Sequence, residues 1–208
     1  MSDEVDGRVR RGQESREARR GQIKDSALRV FSERGYHQTS VTDLVEAAGV
    51  ARGTFYLYFD SKEAIFLELL DDLTTHLRDN IGGVDATRGV TTIEQQLHQI
   101  VVRILRTAVE NRPLTRIIFR EAVGLHASVD ARLRAFDDEL YGFVAGALRL
   151  GAALGALRAV DADVVAVVVV GALREVVHRY VVRDDAAFDL DAVAAAVLDQ
   201  QLRGLLAG

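Results

Sequence analysis

Apolar residues recur at intervals of three and four positions along almost the whole chain, the spacing that gathers them on one face of an α-helix. The first run, from Ile23 to Phe31, predicts a helix over about 20–34 that stops at Gly35. The chain holds a single proline, Pro113, and its valine-rich stretches have lengths and flanks that suit helices better than strands. The pattern therefore predicts an all-α fold of about nine helices.

Three short helices precede a long one at the start of this pattern. Ser40 can cap the second helix while Asp43 reaches back to it, and Gly49 permits the positive-φ turn that ends the helix. A third short helix follows over about 52–58, and a new start signal at 60–63 opens the long fourth helix. Helix, glycine turn and short helix together are the geometry of a helix-turn-helix, which lays its second helix in the major groove of DNA.

Five more helices are predicted beyond a loop marked by Gly82, Gly83 and Gly89. Thr92 and Gln95 resemble a second capping box, at the start of the first of these five. That helix stops before Pro113, and the remaining four cover about 114–125, 129–150, 161–182 and 190–206.

The segment 37–66 reads HQTSVTDLVEAAGVARGTFYLYFDSKEAIF. It closely resembles the helix-turn-helix of the TetR family of transcriptional regulators. The agreement lies at fixed spacing over many positions, which makes it far more specific than a lone glycine motif. The matching groups are Thr39-Ser40-Val41, Asp43-Leu44, Ala47-Ala48-Gly49-Val50, Gly53-Thr54-Phe55-Tyr56, Tyr58-Phe59 and Ser61-Lys62-Glu63.

The resemblance implies that the third helix reads DNA. An arginine can pair with guanine through two hydrogen bonds, a glycine allows close backbone approach, and hydroxyls suit phosphate or base edges. Ser40 and Thr42 could also present hydroxyls or backbone amides to phosphate, although a purely capping role for Ser40 fits the sequence equally well. The residues implied to face DNA are Arg52, Gly53, Thr54, Tyr56 and Tyr58, with Lys62 at a phosphate.

The third helix also carries residues that we assign to packing. Phe55 and Phe59 are predicted to lie in the core rather than at DNA. Ala51 stands where the family usually has a serine or threonine cap, and alanine there gives up about 0.5–2 kcal/mol of capping. We therefore expect the packing of the two phenylalanines to hold this helix.

Charge is distributed unevenly along the chain, although its formal net value is −5. Residues 7–24 hold seven basic side chains against two acidic ones, whereas residues 63–208 hold 15 basic against 21 acidic. A basic arm that contacts the phosphate backbone, with an acidic body held away from it, fits this asymmetry. A solvated disordered tail fits the same segment, and both descriptions can apply to it.

The resemblance implies three parts for the chain: a flexible basic arm (1–19), a helix-turn-helix DNA-binding domain (20–66), and an effector-binding and dimerisation domain (67–208). It also implies a homodimer through the last two helices. The run 164–173 is apolar on every face and needs cover on every face, from a partner subunit or from the same chain. Small residues that would permit close helix approach in the last helix are Ala192, Ala194, Ala195 and Ala196.

An effector pocket would lie among the fourth to eighth helices and be largely apolar, with few polar groups to orient the ligand. Each candidate is also consistent with an ordinary core position. The apolar candidates are Phe66, Leu70, Ile104, Phe119, Val123, Phe143 and Ala147, and the polar ones are His126, Tyr141 and His178.

Several classes of function are disfavoured by composition. The chain has no cysteine and its five histidines are dispersed, so we expect neither a metal site nor a cofactor. No nucleophile elbow or phosphate loop is visible, which argues against an enzyme. The N-terminus does not resemble a secretory signal and the longest apolar run is about half of the roughly 20 residues that span a bilayer, so we expect a cytoplasmic protein without a membrane anchor.

These observations predict a sequence-specific transcriptional regulator that binds double-stranded DNA. The form we favour is a repressor that a small, largely apolar effector releases from a palindromic operator. The alternative is a DNA-bound interaction platform of the same fold that has no small-molecule effector, and a filled domain core would favour it.

Overall fold

A computed structural model describes residues 2–81, 92–122, 124–155, 157–183 and 186–203. Within these ranges every regular element is helical and there is no strand, which confirms the predicted all-α fold class. Two short π-helical segments, Ile118–Ala122 and His178–Val182, continue the sixth and eighth helices. The α-helices are α1 Ser2–Arg34, α2 Val41–Ala48, α3 Arg52–Tyr56, α4 Lys62–Ile81, α5 Ile93–Glu110, α6 Arg112–Ile117, α7 Ala127–Ala153, α8 Ala162–Val177 and α9 Leu190–Leu202.

The chain divides into two compact units, Met1–Asp71 and Asp72–Gly208, a boundary five residues beyond the one we predicted. The first unit contains α1 to α3 and the beginning of α4. Its core is aromatic: the Tyr36 ring lies 5.2 Å from the Phe31 ring and 5.2 Å from the Phe66 ring, centroid to centroid, and all three side chains are buried. This core joins α1, the α1–α2 connection and α4.

The second unit is built on two apolar clusters. In the larger cluster, Leu105 of α5 and Val181 of the second π segment are fully buried with Ala194 of α9. In the smaller, Ala145 and Leu148 of α7 pack with Ala162 and Ala166 of α8. The last two predicted helices therefore each bury one face within the chain.

The two π-helical segments lie together in the second unit. Arg116 Nε and Arg120 Nη2 both donate to the carbonyl oxygen of Val182, at 3.1 and 3.2 Å. The rings of Phe119 and His178 are stacked, with centroids 5.8 Å apart and an angle of 2° between their planes. The sequence predicted uninterrupted helices over both segments, because their apolar spacing does not reveal the change in hydrogen bonding.

The first helix departs most from the prediction. We expected it to begin near residue 20 after a flexible arm, but its backbone is helical from Ser2. Side chains 13–19 are exposed on every face. The extension carries no apolar repeat, so periodicity gave no signal for it.

Three of the predicted features lie outside the described residues. The predicted glycine loop and Val123 lie outside the ranges given above, as does the end of the last predicted helix. Among the described residues, no helix is both long enough and apolar enough to cross a membrane.

Candidate nucleic-acid interface

Helix α2 begins with the predicted capping box. The Asp43 N–H donates to Ser40 Oγ at 3.2 Å, and the Ser40 N–H donates to an Asp43 carboxylate oxygen at 2.8 Å. The Ser40 hydroxyl also donates to that carboxylate at 2.6 Å, which lowers the pKa of Asp43 below its ordinary value. The capping role of Ser40 is thus confirmed, while neighbouring Thr42 is exposed and could offer its hydroxyl elsewhere.

The turn between α2 and α3 depends on Gly49. Its φ of 63° lies in the left-handed region that side chains with a Cβ rarely adopt. Its N–H donates to the Glu46 carbonyl at 3.1 Å, and the Val50 N–H donates to the Val45 carbonyl at 3.3 Å. These bonds stop α2 within one residue, as the sequence predicted.

Helix α3 is held by packing rather than by a cap. Ala51 has the extended conformation of a cap residue, but no side-chain hydrogen bond closes the first turn. Phe55 is fully buried and Phe59 is 2% exposed, with ring centroids 6.4 Å apart. Both phenylalanines are therefore core residues, as predicted, and they fix which face of α3 points outward.

Adding the missing cap is expected to stabilise the first unit. In Ala51→Ser the hydroxyl can accept from a free N–H of the first turn, and the free energy of unfolding is expected to rise by about 0.5–2 kcal/mol. Urea unfolding followed by circular dichroism measures the change. The matched control is Ala153→Ser, at the C-terminal end of α7, where no free N–H awaits a hydroxyl. An equal gain in both variants would mean that capping is not the cause.

The outward face of α3 carries the residues predicted to read DNA. Arg52, Gly53 and Tyr56 are exposed, and Thr54 and Tyr58 are half-buried. The Arg52 guanidinium carbon lies 5.9 Å from the centre of the Tyr56 ring. The structure thus brings all five together on one short helix and the residues just after it.

The fold of the chain itself does not require glycine at position 53. A Cβ added at this position would meet no atom within 4 Å, and its backbone is not left-handed. A side chain at this position is therefore compatible with the folded protein. Any requirement for glycine here comes from something that approaches α3 from outside.

Lys62 occupies a different setting from the other predicted contacts. Its Nζ donates to the carbonyls of Tyr36 and Thr39, at 3.0 and 2.8 Å, and lies 4.4 Å from the centre of the Tyr36 ring. Burial lowers the pKa of Lys62 below its ordinary value. Burial, together with the charge of Glu63, raises the pKa of Tyr36 to about 12. Lys62 thus joins the α1–α2 connection to α4 through two main-chain carbonyls.

Sequence reasoning missed a charged cluster around Glu68. Arg20 Nε donates to both Glu68 carboxylate oxygens, at 3.0 and 3.1 Å, and Lys24 Nζ lies 3.0 Å from one of them. Arg20 Nη1 also donates to the Tyr58 carbonyl at 2.8 Å, and its guanidinium lies 4.3 Å from the centre of the Phe59 ring. In the sequence, Arg20 and Lys24 stand out only as two of the seven basic residues in the stretch 7–24.

The predicted effector residues are spread over both units. Phe66 and Leu70 are buried in the first unit, while the others that the structure describes belong to the second. Of those others, only Phe143 lines the pocket of about 270 Å³ between α4 and α7. The remaining positions are Ile104 on α5, Phe119 in the first π segment, His126 before α7, Tyr141 and Ala147 on α7, and His178 in the second π segment.

An open pocket of about 270 Å³ lies between α4 and α7 of the second unit. Its apolar wall consists of Ile81, Phe136, Leu140 and Phe143. At its rim Arg78 Nε donates to a Glu139 carboxylate oxygen at 2.6 Å, and this hydrogen bond lowers the pKa of Glu139. The pocket therefore joins an apolar surface to one ion pair.

Comparison with known proteins assigns the family. Residues 23–69 match the model of bacterial regulatory proteins of the tetR family, and residues 90–205 match the model of the tetracyclin repressor-like C-terminal domain. Together these matches cover the helix-turn-helix and most of the second unit. The chain belongs to the TetR family of helix-turn-helix transcriptional regulators.

Relatives of the chain are regulators of transcription. An uncharacterised HTH-type transcriptional regulator of Bacillus subtilis, YvdT, is 46% identical over 61 residues, which are 29% of this chain and 31% of that protein. The fatty acid metabolism regulator protein of B. subtilis is 26% identical over 88% of this chain and 94% of its own length. The crystal structure of the B. subtilis regulator FadR in complex with stearoyl-CoA superposes with a TM-score of 0.70, at 25% identity over 88% of this chain and 97% of that one.

Proposed function

We propose that this protein is a sequence-specific transcriptional repressor that binds a palindromic DNA operator as a homodimer and releases it on binding a small, largely apolar effector. The observation that carries the proposal is the outward face of α3. Buried Phe55 and Phe59 hold a five-residue helix that presents an arginine, a glycine and a tyrosine to solvent. This combination of groups suits base edges and close backbone approach in the major groove.

Each exposed group has a role in this proposal. Arg52 reads a base, and Gly53 lets the α3 backbone approach the duplex closely. Phosphate oxygens accept hydrogen bonds from the hydroxyls that surround α3, which position the helix without reading sequence. These hydroxyls and the remaining phosphate donor belong to Thr42, Thr54, Tyr56, Tyr58 and Lys62, whereas the hydroxyl and the N–H of Ser40 both donate to Asp43 and are left out of this set.

The basic extension of α1 supports DNA binding as well. Residues 7–19 hold five arginines against two acidic residues, and the side chains of Arg16 and Arg19 are exposed. We propose that this stretch follows the phosphate backbone beside the half-site.

Selection of genomic DNA by the purified protein at physiological salt, followed by footprinting, tests the proposal. We expect enrichment of a palindromic fragment and a protected region with two-fold symmetry. Absence of sequence-specific enrichment would reject the proposal and favour the interaction-platform alternative.

Truncating the proposed base reader gives a sharper test. Arg52→Ala is expected to weaken operator binding by about 1–3 kcal/mol and to relax the preference at one base pair of each half-site. Fluorescence anisotropy with the selected operator and its single-base variants measures both effects. Arg106→Ala, an exposed arginine on α5, is the control for loss of one positive charge. Unchanged affinity and preference in Arg52→Ala would remove Arg52 from the reader.

Exposed apolar surface on α8 supports the homodimer. Val164, Val167 and Val168 are 59%, 55% and 55% exposed within one chain. The alternative in which α8 is covered on every face by its own chain does not fit these three residues. On α9, Ala192, Ala195 and Ala196 are exposed while Ala194 is fully buried, so that a neighbouring helix could approach closely there.

The effector proposal draws on the relatives and on the second unit. The name of one relative refers to fatty acid metabolism, and another was crystallised with stearoyl-CoA. The apolar wall beside Arg78 and Glu139 offers a place for an apolar chain with a polar end. Footprinting is repeated with stearoyl-CoA and with free coenzyme A. Loss of protection with the first alone supports an apolar effector, and protection that no apolar compound alters favours the interaction platform.

A further inference from the structure

Arg20 connects three elements of the first unit through one side chain. It starts from α1, pairs with Glu68 of α4 through Nε and Nη2, and donates from Nη1 to the Tyr58 carbonyl just beyond α3. Its flat guanidinium also lies over the Phe59 ring. Arg20 is therefore bonded to the main chain at the C-terminal end of the proposed reader helix.

Glu68 determines where this guanidinium lies. The carboxylate accepts from Arg20 through two nitrogens and from Lys24 as well. Burial alone would raise the pKa of Glu68, but the hydrogen bonds from Arg20 and Lys24 bring it below its ordinary value. Glu68 is thus an anion at neutral pH, and a forked guanidinium meets it with a fixed orientation.

The direction of helix α3 depends on interactions with other parts of the first unit. It is five residues long and lacks a side-chain cap at its first turn. The packing of Phe55 fixes which face is buried, whereas Arg20 ties the Tyr58 carbonyl to two longer helices. A helix this short has almost no stability of its own, so such external bonds decide how accurately it is placed.

We infer that Arg20 and Glu68 are positioning residues for DNA recognition: together they set the orientation of α3 and thereby the fit of its side chains to base edges. This inference rests on the proposed DNA-binding function. Neither residue needs to touch DNA. Both act through the Tyr58 carbonyl and the Phe59 ring.

The sign and the salt dependence of the mutational effects on DNA affinity distinguish a positioning role from a phosphate contact. Glu68→Gln removes a negative charge from a DNA-binding unit, which by electrostatics alone would strengthen DNA binding. Loss of positioning would weaken it. Arg20→Lys keeps the positive charge but cannot hold Glu68 through a fork while bonding Tyr58.

The experiment compares wild type, Glu68→Gln, Arg20→Gln and Arg20→Lys on the selected operator and on an unrelated duplex over a range of salt. We expect operator binding about tenfold weaker in all three variants, which corresponds to 1.4 kcal/mol at 25 °C. On the unrelated duplex Arg20→Lys binds as wild type does and Glu68→Gln binds no more weakly, because only charge acts there. The salt slope on the operator remains at the wild-type value in Arg20→Lys. Arg106→Gln and Glu110→Gln, two exposed α5 residues, are the controls for charge. Thermal unfolding identifies the folded variants, and Arg20→Lys keeps the test open if Arg20→Gln does not fold.

Three outcomes would overturn the inference. Tighter operator binding by folded Glu68→Gln would show that only its charge matters. Wild-type affinity in Arg20→Lys, with a salt slope reduced by about 0.9 in Arg20→Gln, would make Arg20 a phosphate contact. Equal weakening on the operator and on the unrelated duplex would mean that orientation is not what changed. If wild type itself selects no operator, the proposed function fails first, which is a distinct result.

Discussion

Phe55→Ala is expected to unfold or loosen α3 and to abolish sequence-specific DNA binding. Phe55 is fully buried, and truncating a buried phenylalanine to alanine typically costs about 3–5 kcal/mol. A whole small domain is stable by only about 5–15 kcal/mol. Because α3 has no side-chain cap, its first turn holds no side-chain hydrogen bond that would offset the lost packing. Urea unfolding and operator binding, measured on the same preparation, report the two effects.

Leu57→Ala is the matched control for stability. Leu57 follows α3 directly but is 79% exposed, so its truncation is expected to change the free energy of unfolding by no more than about 0.5 kcal/mol. If Phe55→Ala retains wild-type stability and operator affinity, packing does not hold the reader helix. If both variants lose stability equally, the position of the side chain relative to the core is not the cause.

Val167→Glu is expected to convert the proposed homodimer to monomers and to reduce affinity for the proposed palindromic operator. Val167 lies with two other exposed valines on one face of α8. A carboxylate without a partner would be costly to bury there, so we expect the dimer dissociation constant to rise about a hundredfold or more. Light scattering coupled to size-exclusion chromatography measures the mass. A monomer presents one reader and retains only weak binding to a half-site.

Ile93→Glu controls for the added charge. Ile93 is 42% exposed on α5, outside the α8 face, and its substitution is expected to leave the mass and operator affinity unchanged. A dimer that persists in Val167→Glu would place the subunit interface elsewhere on the second unit. Monomers in both variants would point to general destabilisation instead.

Local signals made much of the fold predictable from sequence. The Ser40–Asp43 and Thr92–Gln95 capping boxes and the Gly49 turn each lie within a few neighbouring residues, and all three form as predicted. The burial of Phe55 follows from helical spacing. Helical existence and local turns can be predicted because the residues that cause them are close in sequence.

Contacts between distant residues could not be predicted in this way. Arg20 and Glu68 are 48 positions apart, and nothing near either residue indicates that they meet. The same holds for Lys62, whose two carbonyl partners lie more than twenty residues before it. The candidate site was thus predictable in its exposed residues but not in the bonds that orient them.

The π segments show how residue count sets helical register. Each π turn contains one residue more than an α turn, so it takes up an inserted residue without a loop. Deleting one residue within 178–182 would restore α-helical bonding but rotate the following side chains by about 100°. Val181 and Val182, now fully buried, would turn away from the core, and the Val182 carbonyl would leave Arg116 and Arg120. In this part of the chain, deletion of a single residue therefore disturbs the packed interior more than most substitutions do.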